Sequence, residues 1–265
     1  GGGLEGEVTI EVDGSYNEPG AVLSDNYDSP SSLGSSDFYV IDSSAVNTEV
    51  VGDYTVTYNV RDSEGNDAQE VTRTVNVVDT TDPVITLVGG DVTIPLGGSY
   101  TESGATVSDN YDTELAVTID SSTIDTSVVA PYTVTYNVTD DSGNKGTATR
   151  TVNVVDITLP VITLNGGNVT IEAGGSYEEL GATVSDNYYT GLSATPTGAV
   201  NTSAVGTYTI TYSATDGSQN EGTATRTVTV VDTTAPVVTV TPGNDAVVMG
   251  ASWTDAGATS DGVET

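Results

Sequence analysis

The clearest pattern along the chain has period two. At Tyr208, Ile210, Tyr212 and Ala214 every second residue is apolar, and Thr209, Thr211, Ser213 and Thr215 alternate with them. Successive side chains point to opposite faces of a pleated strand, so this predicts a strand with one buried and one solvated face. Val and Thr, both β-branched, dominate such segments, as in residues 147–156 (TATRTVNVVD). Gly, Asp, Asn or Pro interrupts them about every 8 to 12 residues, the rhythm of a β-sandwich. No segment reads as a helix.

The pattern repeats. The block VSDNY stands at residues 107–111 and 184–188, with LSDNY at 23–27. The aromatic following a Gly-Ser or Ala-Ser step falls at Tyr16, Tyr100, Tyr177 and Trp253, a period of about 77 residues. The first interval is longer because of Ser-rich residues around 29–36 and one extra residue between Asn66 and Arg73. Boundaries near Asp79, Asp156 and Asp232, each followed by Pro83, Pro160 or Pro236, give repeat one (1–79), repeat two (80–156), repeat three (157–232) and a partial fourth (233–265). About seven short strands per repeat, joined by hairpins, predict an all-β chain of tandem Ig-like β-sandwich domains in an elongated array. Repeat one lacks the opening strand that residues 83–87 supply to repeat two. Two accounts of the ends stay open: a window from a longer array, or strand exchange in which residues 237–240 complete a neighbour's open sandwich.

These segments also carry a resemblance. The succession DTTAPVVTV, a Gly-rich turn, SYxxxGATVSDN, GTYTITYSATDGSQN and TATRTVTVVD resembles the bacterial Ig-like repeats of large surface proteins and adhesins. These are similar in form to hyalin repeats and cadherin modules. The resemblance covers nearly the whole chain; it implies the fold strongly, an extracellular or cell-surface location, and calcium held between modules.

Charge narrows the partners. Among 265 residues, 38 acidic side chains face 5 basic ones, a formal charge of −33. Binding phosphate backbones or anionic membranes takes clustered Lys and Arg, so nucleic acid is excluded as a partner. With neither His nor Cys, the usual general base, thiolate nucleophile and zinc ligands are missing. Paired carboxylates alone could act in catalysis, and they need a deep cleft with one acid held protonated, which shallow loops between short strands do not offer. The expectation is therefore no enzyme. No apolar run approaches the roughly 18 residues of a membrane span, and no targeting segment is visible.

The carboxylates fall in register with the repeats. In an Ig-like path, the linker, the loop after the second strand and the loop before the last strand meet at one pole. For repeat two these contain Asp79 and Asp82, then Asp109, Asn110 and Asp112, then Asp140, Asp141 and Asn144. For repeat three they contain Asp156, then Asp186 and Asn187, then Asp216 and Asn220, with Tyr189 in place of Asp112 and Gly217 in place of Asp141. Carboxylates brought together oppose one another's ionisation unless a cation neutralises them. A set of hard oxygen donors suits Ca²⁺, not zinc or copper, with the choice between Ca²⁺ and Mg²⁺ open. The alternative is that SDN and DxSGN are simply turn sequences. Repeat one keeps Asp25, Asn26, Asp28, Asp62 and Glu64 without a preceding linker; Asp232 could serve a third junction, whose pole is cut short after Asp261.

Arg73, Arg150 and Arg226 recur on the face of Val75, Val152 and Val228, as expected of stems packed over a sheet with the guanidinium on a carboxylate. The functional expectation is a structural stalk or fibre of a bacterial surface protein, stiffened by Ca²⁺ at its domain junctions. Its partners would be neighbouring repeats of the same or like chains, with a possible glycan or cell-surface ligand. A filament subunit joined head to tail by strand donation is one alternative. A carbohydrate-binding adhesin module using the loop residues Tyr27, Tyr111, Tyr188 and Tyr189 is another.

Overall fold

A computed structural model describes residues 6–35, 38–240, 249–252, 258–260 and 263–264. The chain divides into two compact units, residues 1–155 and 156–265. The first contains β1 (Val8–Glu11), α1 (Pro30–Leu33), β2 (Tyr39–Asp42), β3 (Gly52–Val60) and β4 (Val71–Val78). It continues with β5 (Val84–Leu87), β6 (Val92–Pro95), β7 (Ala105–Ser108), β8 (Thr118–Asp120), β9 (Ala130–Thr139) and β10 (Lys145–Val155). The second contains β11 (Val161–Leu164), β12 (Val169–Glu172), β13 (Ala182–Ser185), β14 (Thr195–Thr197), β15 (Gly206–Thr215) and β16 (Glu221–Val231). It ends with β17 (Val238–Val240), β18 (Ala258–Ser260) and β19 (Val263–Glu264).

The period-two segments are strands, and along β15 burial alternates until Ile210, Tyr212 and Ala214 are fully inside. Repeat two is a four-stranded sheet in the order β6-β10-β9-β8, faced by the pair β5-β7. Repeat three copies it, with β12-β16-β15-β14 and β11-β13. The first strand of each four-stranded sheet runs parallel to the last, and the long central hairpin is antiparallel. Val134, Tyr136, Val152, Val154 and Ile94 form one core, covered by Ile85 and Leu87 of β5. Ile210, Tyr212 and Val228 form the next, covered by Ile162 and Leu164 of β11.

Three expectations change. Each full repeat has six strands, not about seven: in repeat two the stretch after β8 becomes two turns, with the Asp120 and Asp125 carboxylates accepting the Ser122 and Ser127 N–H groups at 2.9 Å. Local Asx turns here compete with strand pairing and win. The acidic loop therefore follows the third strand of the repeat, because the second strand has crossed to the other sheet. One helical turn exists as well, in the Ser-rich insertion of repeat one. Ser29 caps it, Pro30 opens it, and Leu33 buries its side chain. It is too short for a helical period to show.

Repeat one has the four-stranded sheet β1-β4-β3-β2 but, among the described residues, no opposing pair. The segment matching β7, residues 21–24, has no strand assignment, and Val22 there is 94% exposed. In the partial fourth repeat β17 pairs with β18 in the register of β5 with β7: Thr239 faces Thr259 and Val240 faces Ala258, as Thr86 faces Thr106 and Leu87 faces Ala105. Trp253 and Asp261 lie outside the described residues.

Candidate cation poles

Strand register assembles the pole of repeat two. Val84, first in β5, pairs with Ser108, last in β7, so the linker before β5 meets the loop after β7. The β9–β10 hairpin loop joins them because Gly146 lies directly under Pro83: a Cβ on Gly146 would come within 2.0 Å of the Pro83 carbonyl oxygen. Repeat three does the same, with Gly222 at 1.9 Å from the Pro160 oxygen. Each glycine is required by a close backbone approach, not by its φ.

Asp79, Asp109, Asp112 and Asp140 each bring a carboxylate oxygen within 4.8 Å of the others, and so do Asp156, Asp186 and Asp216. Asp79 and Asp156 are only 5% and 3% exposed. Asp82 is not in the first cluster; it is exposed, and its carboxylate accepts the Lys145 N–H at 3.1 Å. Asp141 is also outside, exposed, its N–H donating to Asp112 Oδ2 at 3.2 Å. Asn110 and Asn187 are exposed on the same loops as Asp109 and Asp186. Asn144 acts as a brace, its Nδ2 donating to the Asp79 carbonyl at 3.2 Å and to Asp140 Oδ2 at 2.7 Å. Asn220 does likewise on the Asp156 carbonyl at 3.1 Å and Asp216 Oδ2 at 2.8 Å.

The turn reading and the ligand reading turn out to use different oxygens. Asp109 Oδ1 accepts the N–H groups of Tyr111 and Asp112, both at 3.0 Å. Asp186 Oδ1 accepts those of Tyr188 and Tyr189 at 3.0 and 2.9 Å. Asp79 Oδ1 and Asp156 Oδ1 accept the Thr81 and Thr158 N–H groups at 3.2 and 3.0 Å. In all four residues the second oxygen, Oδ2, is buried and has no hydrogen-bond partner. Buried carboxylate oxygens without donors are costly unless a proton or a cation neutralises them. The local field agrees: burial, with the nearby Asp109 and Asp140 charges, raises the Asp79 pKa against the opposing Thr81 N–H and Asn110 side chain. Asp140 and Asp216 are also desolvated, yet their pKa values fall because the braces Asn144 and Asn220 and loop N–H groups stabilise the charge. With oxygen donors throughout, these sets fit a hard divalent cation.

Two further constellations recur between repeats. Arg150, 1% exposed, pairs with Glu102 at 2.7 Å, donates to the Val88 carbonyl at 2.6 Å and lies 5.6 Å from the Tyr136 ring centre. Arg226 repeats this with Glu179, the Asn165 carbonyl and Tyr212, and Arg73 with Glu18, the Gly20 carbonyl and Tyr58. The recurring arginines thus hold a carboxylate, as their strand face implies. The second constellation was not foreseen. Glu11 accepts N–H and O–H groups of Thr80 and the Thr81 hydroxyl at 2.7 to 3.2 Å, and Glu172 accepts those of Thr233 and Thr234 at 2.7 to 3.0 Å. Each carboxylate clasps the linker leaving its own repeat, and these bonds lower the pKa of Glu11 and Glu172 to about 2. The signal was present as a pairing of VTIE with DTT; repeat two has Pro95 and Ile157 at those positions.

The loop tyrosines differ in exposure. Tyr27 is 78% exposed, whereas Tyr111, Tyr188 and Tyr189 are half-buried. The Val51 N–H donates to Tyr111 Oη at 3.4 Å, and Tyr189 Oη shares a 2.9 Å hydrogen bond with Ser218 Oγ.

Fold and repeated poles define a protein of tandem Ig-like sandwich modules. Residues 4–77, 85–154 and 162–230 each match the Ig-like domain of bacterial surface proteins, and the chain belongs to that family. It is 38% identical over 215 residues to hyalin of Strongylocentrotus purpuratus, covering 72% of this chain and 17% of hyalin. It is 35% identical over 130 residues to the serine-rich adhesin for platelets of Staphylococcus aureus strain MRSA252, covering 43% of this chain and 10% of the adhesin. The chain therefore spans under a fifth of the length of either relative. Among solved structures, Drosophila N-cadherin EC1-4 is similar at 13% identity and a TM-score of 0.36, over 86% of this chain and 74% of that one. No helix among the described residues is long and apolar enough to cross a membrane.

Proposed function

We propose that this chain is a non-catalytic spacer, a stalk or fibre segment of a bacterial extracellular surface protein, whose modules (1–79, 80–156, 157–232 and 233–265) are stiffened by Ca²⁺. The observation that carries this reading is the set of four partnerless, buried Oδ2 atoms of Asp79, Asp109, Asp156 and Asp186, two in each carboxylate cluster. Asp112 and Asp140 would complete the first ligand set and Asp216 the second. The cation supplies the positive charge that these oxygens lack. The chain supplies the rest: Asx turns aim the carboxylates, Asn144 and Asn220 hold the loops to the linker, and the buried prolines fix where the linker runs. An ion bound to both linker and loops removes bending freedom from a short connection. Family membership supports the surface location, and the −33 charge suits a soluble, self-repelling spacer.

The test is a thermal melt followed by β-sheet circular dichroism, in chelator, in millimolar Mg²⁺ and in millimolar Ca²⁺. A melting point raised by several degrees in Ca²⁺, and lost in the Asp79→Asn/Asp156→Asn variant, is expected. An identical melting point in all three conditions would overturn the reading.

Exposed valines favour one second reading, head-to-tail assembly by strand donation. Val238 and Val240 of β17 are 65% and 74% exposed, and β17 already has the register of an opening strand. Deleting residues 236–265 would then abolish any polymers seen by size exclusion.

A further inference from the structure

The two poles share a backbone and differ in one pair of side chains. At the loop position where repeat two has Asp112, repeat three has Tyr189, and both N–H groups donate to the preceding aspartate, at 3.0 and 2.9 Å. The backbone therefore delivers either side chain to the same place. Asp112 turns a carboxylate into the first cluster, whereas the second cluster has three carboxylates and no counterpart. The Tyr189 ring lies instead over Gly217, where a Cβ would come within 2.3 Å of Tyr189 Cε1. The left-handed residue of that loop is Gln219, with φ of 71°, so Gly217 is required by the ring and not by the backbone. Its counterpart Asp141 bears a side chain, and its N–H donates to Asp112 Oδ2 at 3.2 Å. Tyr188 packs edge-on against Tyr189 at 5.1 Å between centroids and holds the ring in place. The remaining donors match: Asp156 and Asp186 keep buried, partnerless Oδ2 atoms as Asp79 and Asp109 do.

We infer that the Tyr189–Gly217 pair makes the pole of repeat three a weaker, three-carboxylate cation site, so that a divalent cation fills the Asp79 pole first and the Asp156 pole at higher concentration. This rests on the cation reading above and extends it: the chain carries two graded sites, the tyrosine setting the lower affinity. Cation affinity in all-oxygen sites follows ligand charge and rigidity. An aromatic ring removes one formal charge and one donor while leaving the aim of the others intact. The protein would then respond to cation concentration in two steps.

The experiment is calorimetric titration of the full chain with Ca²⁺, with sites assigned by two matched substitutions. Asp79→Asn and Asp156→Asn preserve shape and replace the partnerless Oδ2 by an amide. Two classes of site are expected, the tighter lost in Asp79→Asn and the weaker lost in Asp156→Asn. Tyr189→Asp, which removes the ring from Gly217, should tighten the weaker class by about tenfold and leave the tighter one unchanged. The reciprocal Asp112→Tyr/Asp141→Gly variant should bring the tighter class down to the weaker one, which keeps the test open if Tyr189→Asp fails to fold. Two equal classes, or a Tyr189→Asp variant that folds and titrates like the parent, would overturn the inference while leaving cation binding standing. Absence of any binding heat would overturn both.

Discussion

Repeats one and two carry nearly the same loops and build different poles. In repeat one Asp25 Oδ1 accepts the Tyr27 and Asp28 N–H groups at 2.8 and 3.0 Å, and Asp62 holds Asn66 as Asp140 holds Asn144. Asp28 even accepts the Ser63 N–H at 2.9 Å, as Asp112 accepts that of Asp141. Yet Asp25 is exposed where Asp109 is half-buried, and only the loops of repeats two and three join a carboxylate cluster among the described residues. The turns are therefore a local property of SDNYD and DxxGN. Burial and gathering of the carboxylates come from the linker aspartate, the proline behind it and the opening strand, which repeat two has and the described part of repeat one lacks.

The largest effect is expected where both repeats depend on the same buried ion pair. Glu102→Ala leaves the Arg150 guanidinium buried without its partner, at a cost of about 3 to 5 kcal/mol in denaturant melts. Glu18→Ala should cost less, because Arg73 is 9% exposed against 1% for Arg150, and its backbone bond, to Gly20, is 3.3 Å against 2.6 Å. Equal costs would mean that the opening pair of strands does nothing to isolate this network from water.

Next comes the cation. At about 100-fold above its dissociation constant, one bound ion adds roughly 2.7 kcal/mol to the folded state. Asp109→Asn should remove the gain of the repeat-two site, and Asp25→Asn should leave the Ca²⁺-induced rise in melting point unchanged. The sign of the pH dependence follows from Asp79, whose pKa is raised in the ion-free fold. Its contribution is present below the unfolded value and lost as pH rises through the folded one, so Ca²⁺ should stabilise more at pH 7 than at pH 4. A Ca²⁺ effect independent of pH over that range would contradict the cluster.

Backbone approach gives a sharper contrast of about 1 to 3 kcal/mol. Gly146→Ala forces a methyl group into the Pro83 carbonyl, so it should lower both stability and Ca²⁺ affinity. Ala68, whose N–H donates to Val60 as Gly146 pairs with Val138, already carries that methyl group in repeat one. Ala68→Gly should therefore change stability only slightly and Ca²⁺ binding not at all.

The smallest effect belongs to the linker clasp. With a pKa of about 2 against an ordinary 4.5, the Glu11 carboxylate stabilises the fold above the unfolded value, and this is lost as pH falls from 4.5 toward 2. Carbon-detected NMR titration should show Glu11 and Glu172 ionised well below the ordinary glutamate value of 4.5. Glu11→Gln should move the Thr80 and Thr81 amide resonances while barely changing the melting point.

Sequence alone was sufficient for the period-two strands, the repeat and the acidic turns, because these are written locally. Alternation along Tyr208, Ile210 and Tyr212 marks a half-buried strand wherever it occurs, and Asp with Asn or Gly makes its own turn. Tertiary structure decided what depends on residues far apart in the chain. It chose which of the thirteen nominated residues belong to the carboxylate clusters, put Asn144 and Asn220 to work as braces, and moved Asp82 and Asp141 outside. It also revealed Glu11 and Glu172, which look like ordinary strand ends until the linker some seventy residues later in Glu11's case folds back onto them. A turn needs only its neighbours, whereas a buried oxygen without a partner exists only once distant backbone has excluded water from it.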